Sequence, residues 1–95
     1  MDISYVITAS VNDALLVAQS ATLSNRTAEQ VAASQAEGAK MVSYARALVR
    51  PEGDCTVTLQ FGTAAQVSVA SIKRNDIKTL LSHVADEWVG NGIKG

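Results

Sequence analysis

Cysteine, histidine and proline each occur once in these 95 residues, and each scarcity removes a class of explanation. Cys55 alone cannot form an intrachain disulfide, so no covalent staple supports a core this small. One cysteine and one histidine also fall short of the ligands a structural zinc site needs. Charge is sparse: 18% of residues are charged, against roughly 25% in ordinary soluble domains, and the net charge is −1. So balanced a chain lacks the basic excess of a general nucleic-acid binder. Long apolar runs are missing as well. The longest, Ala14-Leu15-Leu16-Val17-Ala18, is too short to cross a bilayer, and Met1-Asp2 puts an acid where a secretory leader is basic. The expectation is a protein of a reducing compartment, neither secreted nor in a membrane, with no cofactor.

Hydrophobic residues make up 47% of the chain, much of it Ala and Val. With so few charges to hold copies apart, part of the surface is expected to be covered by the same chain or by a protein partner. An ordinary Ala-rich small domain is the plainer alternative.

One α+β domain over residues 1–95 is expected, built on a helix–β-hairpin–helix (αββα) core at 27–90. Residues 1–26 would be an N-terminal extension or arm, and 91–95 a flexible tail. In the extension, Ile3, Tyr5, Ile7, Ala9 and Val11 alternate with mostly polar neighbours, which suggests a strand or extended arm over 3–11, with helix as the alternative because Val6 breaks the polar side. Asn12 is expected to cap a short helix over 13–24 carrying Leu15, Leu16, Val17 and Leu23. Thr27-Ala28-Glu29-Gln30 has capping-box spacing and opens a long helix to Val49, stopped by Pro51. Gly38, in the middle of that helix, marks a bend or a close approach.

The hairpin is specified down to its register. Cys55, Val57, Leu59 and Phe61 share one face of the first strand, and Val67 and Val69 the matching face of the second. Opposed residues must lie on one face, so Phe61 is set against Ala65, Leu59 against Val67 and Val57 against Val69, around the loop Gly62-Thr63-Ala64. Asn75 then caps the last helix, with Asp76 in its first turn. Ile77, Leu80, Leu81, Val84, Ala85 and Trp88 recur at spacings of three and four. This stripe is expected to cover the hairpin, and Gly90 to end the helix. The expected core is Val57, Leu59, Phe61, Val67, Val69, Ile77, Leu80, Leu81, Val84 and Trp88.

Little in the chain suggests catalysis. His83 falls on the polar side of its helix with no nucleophile or carboxylate placed to work with it. Cys55 lies on the inward hairpin face, where a small buried hydrophobe is the usual outcome. An enzyme is not expected. The candidate interaction residues are basic: Lys73, Arg74 and Lys78 surround the start of the last helix, and Arg46 and Arg50 end the helix before the hairpin. They would meet an acidic partner or a phosphate, or simply protect an open strand end.

The segment Val67-Ser68-Val69-Ala70-Ser71-Ile72-Lys73-Arg74-Asn75-Asp76-Ile77-Lys78-Thr79-Leu80-Leu81 resembles the W-protein family of tailed phages, small head-completion proteins that join head to tail. Asn75-Asp76-Ile77-Lys78 stands where that family runs from strand into capped helix, and the likeness extends over about residues 36–89. The family has no counterpart to residues 1–35 and carries a longer basic tail. The resemblance implies a non-enzymatic structural adaptor acting through protein–protein contacts in a homo-oligomeric ring, in the cytoplasm or in a virion. Two other readings stand beside it: a small inhibitor or regulatory protein that binds a host protein, and a weak nucleic-acid-binding module.

Overall fold

The computed structural model describes residues 1–91. It is an α+β protein, but its elements run β-β-α-β-β-α, which overturns the helix–hairpin–helix core. The strands are β1 (Ile3–Val11), β2 (Ala14–Leu23), β3 (Cys55–Phe61) and β4 (Val67–Ile72), and helix α1 (Ala28–Ala47) separates the two hairpins. Helix α2 (Arg74–His83) follows β4 and continues as a π-helix over Val84–Asn91. All four strands form one antiparallel sheet in the order β2-β1-β3-β4. The N-terminal hairpin is therefore half of the sheet, and β1 is one of its two central strands.

The short helix expected over 13–24 is strand β2. Asn12 and Asp13, both at positive φ (49° and 65°), make the two-residue turn that such a hairpin needs. Val11 faces Ala14 across it, and the ladder continues to Ile3 opposite Leu23. A local preference for helix in Ala-Leu-Leu-Val-Ala-Gln yields to the unpaired edge of β1, whose amides and carbonyls need partners. Gln19 lies on the helix-facing side of β2, opposite Ile7. Its Nε2 donates to the Tyr5 hydroxyl at 2.7 Å, which settles it there.

On β1 and β3 the odd-numbered residues point at the helices. Ile3, Tyr5, Ile7, Ala9, Cys55, Val57, Leu59 and Phe61 are all buried, with Tyr5 opposite Phe61, Ile7 opposite Leu59 and Ala9 opposite Val57. On β4, Val69 faces Val57 and Val67 faces Leu59. The expected Phe61–Ala65 pair and three-residue loop do not form, because β4 begins only at Val67. The ladder then shifts register before Ile72 meets Cys55, and Ser71 takes up a positive φ of 64° there.

The Thr27 capping box is present: Gln30 N donates to Thr27 Oγ1 at 3.1 Å and Thr27 N to Gln30 Oε1 at 2.9 Å. Helix α1 ends at Ala47, short of Val49. Leu48 N and Val49 N bond back three residues to Ala45 and Arg46, closing the helix with a tightened turn before Pro51 can act. Asn75 is not the cap of α2. The carbonyl of Lys73 accepts from both Asp76 N and Ile77 N, so the helix starts two residues earlier and Asn75 lies inside it. Gly90 does not stop the last helix, which runs to Asn91; of the expected tail, residues 92–95 lie outside the described part.

Ile77, Leu80, Val84 and Trp88 are buried against the sheet, while Leu81 and Val67 are half-buried and Ala85 is exposed. Trp88 is the centre of the packing. Its ring meets Tyr5 edge-on at 5.0 Å and Phe61 at 5.7 Å, and its Nε1 donates to the Ser34 carbonyl at 3.1 Å. A side chain of the final helix thus ties β1, β3 and α1 together. Gly38 marks a close approach to the sheet: a Cβ there would lie 2.6 Å from Phe61 Cβ.

Two stability outcomes follow from this packing. Gly38→Ala gains about 1 kcal/mol of helix propensity but overpacks Phe61 at a cost of about 1–3 kcal/mol, so urea unfolding should show a net loss. Trp88→Phe keeps most of the ring contact but removes the bond to Ser34. It should lower stability by about 1–3 kcal/mol, against about 3–5 for Trp88→Ala.

Candidate interaction surface

The five basic residues divide among three settings. Lys73 and Arg74, at the start of α2, line a shallow depression of about 290 Å³ with Glu52, Asp54 and Asn75. Lys73 Nζ lies 3.9 Å from Glu52 Oε1, and Arg50 Nε lies 3.1 Å from Asp76 Oδ2. The first pair is exposed and weak, and the second is partly shielded. With Asp54 alongside, cations and carboxylates in this corner are close to balance. It is not a basic patch. Lys78 faces the other way: with Arg74 it borders a groove of about 380 Å³ between α2 and the edge of the sheet, floored by Leu16, Val17, Ile77 and Leu81. Arg46 does not join the corner. It opens onto a third concavity, about 320 Å³, between α1 and the β3–β4 hairpin, beside Gly38, Val42, Phe61 and Val67.

The loop after α1 is pressed against β4. Arg50 N donates to the Ser71 carbonyl at 2.9 Å, and a Cβ on Gly53 would lie 2.2 Å from that same backbone, so only glycine fits the approach. This contact brings Arg50 within reach of Asp76 and seats Cys55 under the corner. Cys55 is fully buried. Its thiol is 3.4 Å from Asp54 Oδ1, and burial, followed by the Asp54 carboxylate, pushes its pKa above the ordinary 9.0 while nearby Arg74 pulls the other way. His83 is half-buried, with its ring stacked on Tyr44 at 4.4 Å, so it packs α2 on α1. Among the described residues, no group of His, Cys, Asp and Glu could hold a metal ion, and no helix is long and apolar enough to cross a membrane.

Reading for charge and motif misses a further surface. The sheet face turned away from the helices carries Ser4, Val6, Thr8 and Ser10 on β1, Ala18, Ser20 and Thr22 on β2, Thr56, Thr58 and Gln60 on β3, and Ser68 on β4. None of these is charged or aromatic. Thr58 Oγ1 and Ser68 Oγ are hydrogen-bonded at 3.1 Å across it. Alternation in β1 and β3 held the signal for this face. It became a surface only once β2 was known to be a strand.

The Cys55 environment has a measurable consequence. An acid whose folded pKa is raised keeps its proton when the unfolded chain has lost it, so the folded state binds more protons above pH 9.0. Stability is full below that value and should fall as pH rises beyond it; Cys55→Ser, whose hydroxyl does not titrate in this range, should flatten that slope in urea titrations. Iodoacetamide at neutral pH should label Cys55 only as fast as the chain unfolds.

Comparison of the chain with protein-family models, with curated proteins and with solved structures found no match.

Proposed function

We propose that the protein is a non-enzymatic structural adaptor that acts through protein–protein contacts as one copy of a homo-oligomer. The observation that carries this reading is the uncharged outer face of the sheet, framed by a chain with only 18% charged residues. A broad face of Ser, Thr, Ala and Val is cheap to desolvate, since it holds no ion to strip of water. It suits contact with another protein surface far better than contact with a charged polymer. Nucleic acid is disfavoured by the same residues. Single-strand binding on a sheet relies on exposed aromatic rings and cations, and here Tyr5, Phe61 and Trp88 are all buried on the opposite side.

The resemblance to phage head-completion proteins over residues 36–89 offers a setting, a head-to-tail joint, in which such an adaptor would work. It carries less of the argument now that the αββα core has given way to a four-stranded sheet. The oligomer is the testable part. Native mass spectrometry at micromolar concentration should give a defined multimer of the 10.0 kDa chain, alone or with phage structural proteins. A strict monomer under both conditions would remove the reading.

A further inference from the structure

We infer that β2 is a self-pairing edge: two copies join their β2 strands antiparallel about a two-fold axis, making one continuous eight-stranded sheet. This rests on the homo-oligomer reading above and assigns its interface.

The two edges of the sheet are built differently. On the β4 side the edge is short, at 6 residues, and bent where Ser71 adopts a positive φ. It is also covered by the Arg50–Ser71 contact and followed by Lys73 and Arg74. These are the usual devices that keep a strand edge from recruiting another. By contrast β2 has 10 residues and no charge, proline or glycine, and it pairs only with β1. Its outer amides and carbonyls require water or a strand. A bulge does interrupt β2, at Leu16, but it lies near the turn and leaves residues 17–23 regular.

That regular stretch is complementary to itself. With Ser20 on the axis, antiparallel pairing sets Val17 against Leu23 of the second copy and Gln19 against its Ala21 on the helix side. On the open side Ala18 meets Thr22 and Ser20 meets Ser20. Every opposed pair keeps its face, no like charges meet, and small side chains let the backbones close. The Val17–Leu23 pair also falls at the mouth of the groove between β2 and α2, beside exposed Leu16 (43% accessible). Because β4 is protected, a head-to-tail β2–β4 chain is disfavoured, and the isologous pairing closes at two.

The test uses the full chain. Size-exclusion chromatography with light scattering should give twice the 10.0 kDa chain mass, and hydrogen exchange should show protection over residues 17–23 that grows with protein concentration. Ser20 is exposed, so Ser20→Lys and Ser20→Glu should each fold with unchanged circular dichroism. Each alone should raise the dimer dissociation constant about tenfold or more by placing like charges together, while an equimolar mixture should recover the dimer. Ala70→Lys on the other edge should change nothing. Multimers that survive Ser20→Lys, or that Ala70→Lys abolishes, would overturn the β2 assignment and leave the adaptor reading intact. A strict monomer, alone and with phage structural proteins, would end both. A monomer whose residues 17–23 become protected only when another protein is added would assign the edge to a foreign strand and overturn self-pairing.

Discussion

Strand β1 is paired on both sides, and most of the structure follows from that. It pairs with β2 over residues 3–11 and with β3 over residues 5–10, and its Ile3, Tyr5, Ile7 and Ala9 form a buried row beneath the helices. A hairpin of β3 and β4 alone would offer α1 and α2 too narrow a floor, since two strands do not make an independently stable layer. Strand β1 adds a row of four buried apolar residues to that floor. Trp88 then reaches Tyr5, a residue far away in sequence, and fixes the helix against the sheet through a ring contact and a bond to Ser34. In a core this size, with no disulfide, the stability margin is thin and such cross-element contacts matter.

Several features were legible from residues alone because one physical rule governed them without competition. Parity fixed Val57 opposite Val69 and Leu59 opposite Val67. Spacing fixed the Thr27–Gln30 capping box, and a helical stripe placed Ile77, Leu80, Val84 and Trp88 on one face. Where two rules competed, the local one misled. Asn12-Asp13 serves equally as a helix cap or as a tight hairpin turn, and the leucines after it favour helix locally. Only the open edge of β1 decides between them, and that edge is a tertiary fact. Asn75 failed in the same way. It is a good cap by type, but Lys73 already supplies the carbonyl that starts the helix.

The candidate site was less legible than the fold, for a related reason. Lys73, Arg74, Lys78, Arg46 and Arg50 were grouped by nearness in sequence and by charge, but side chains on one helix end can face different grooves. The structure separates them into a near-neutral corner, a groove beside β2 and a concavity under α1. Glu52, Asp54 and Asp76 were visible in the sequence all along. Their effect depends on a turn held by Arg50 against Ser71, and nothing local in the sequence announces that contact.

The distribution of charge across the molecule now has a physical sense. The four strands carry no charged residue; among the described residues acids and bases sit on the helices, in the turns and loops, and at Asp2 ahead of β1. A sheet packed on one side normally solvates the other with Lys, Glu and Arg, and a chain selected only to stay dissolved as a monomer would gain from placing them there. Ser and Thr satisfy the pleat and water equally well, yet they leave the face and the β2 edge free of the ions that would repel a neighbour. One edge is short, bent, blocked and flanked by cations, and the other is long and neutral. Asymmetry of that kind is hard to derive from folding requirements, because both edges pose the same problem to an isolated sheet. It is what an interface on one side would require.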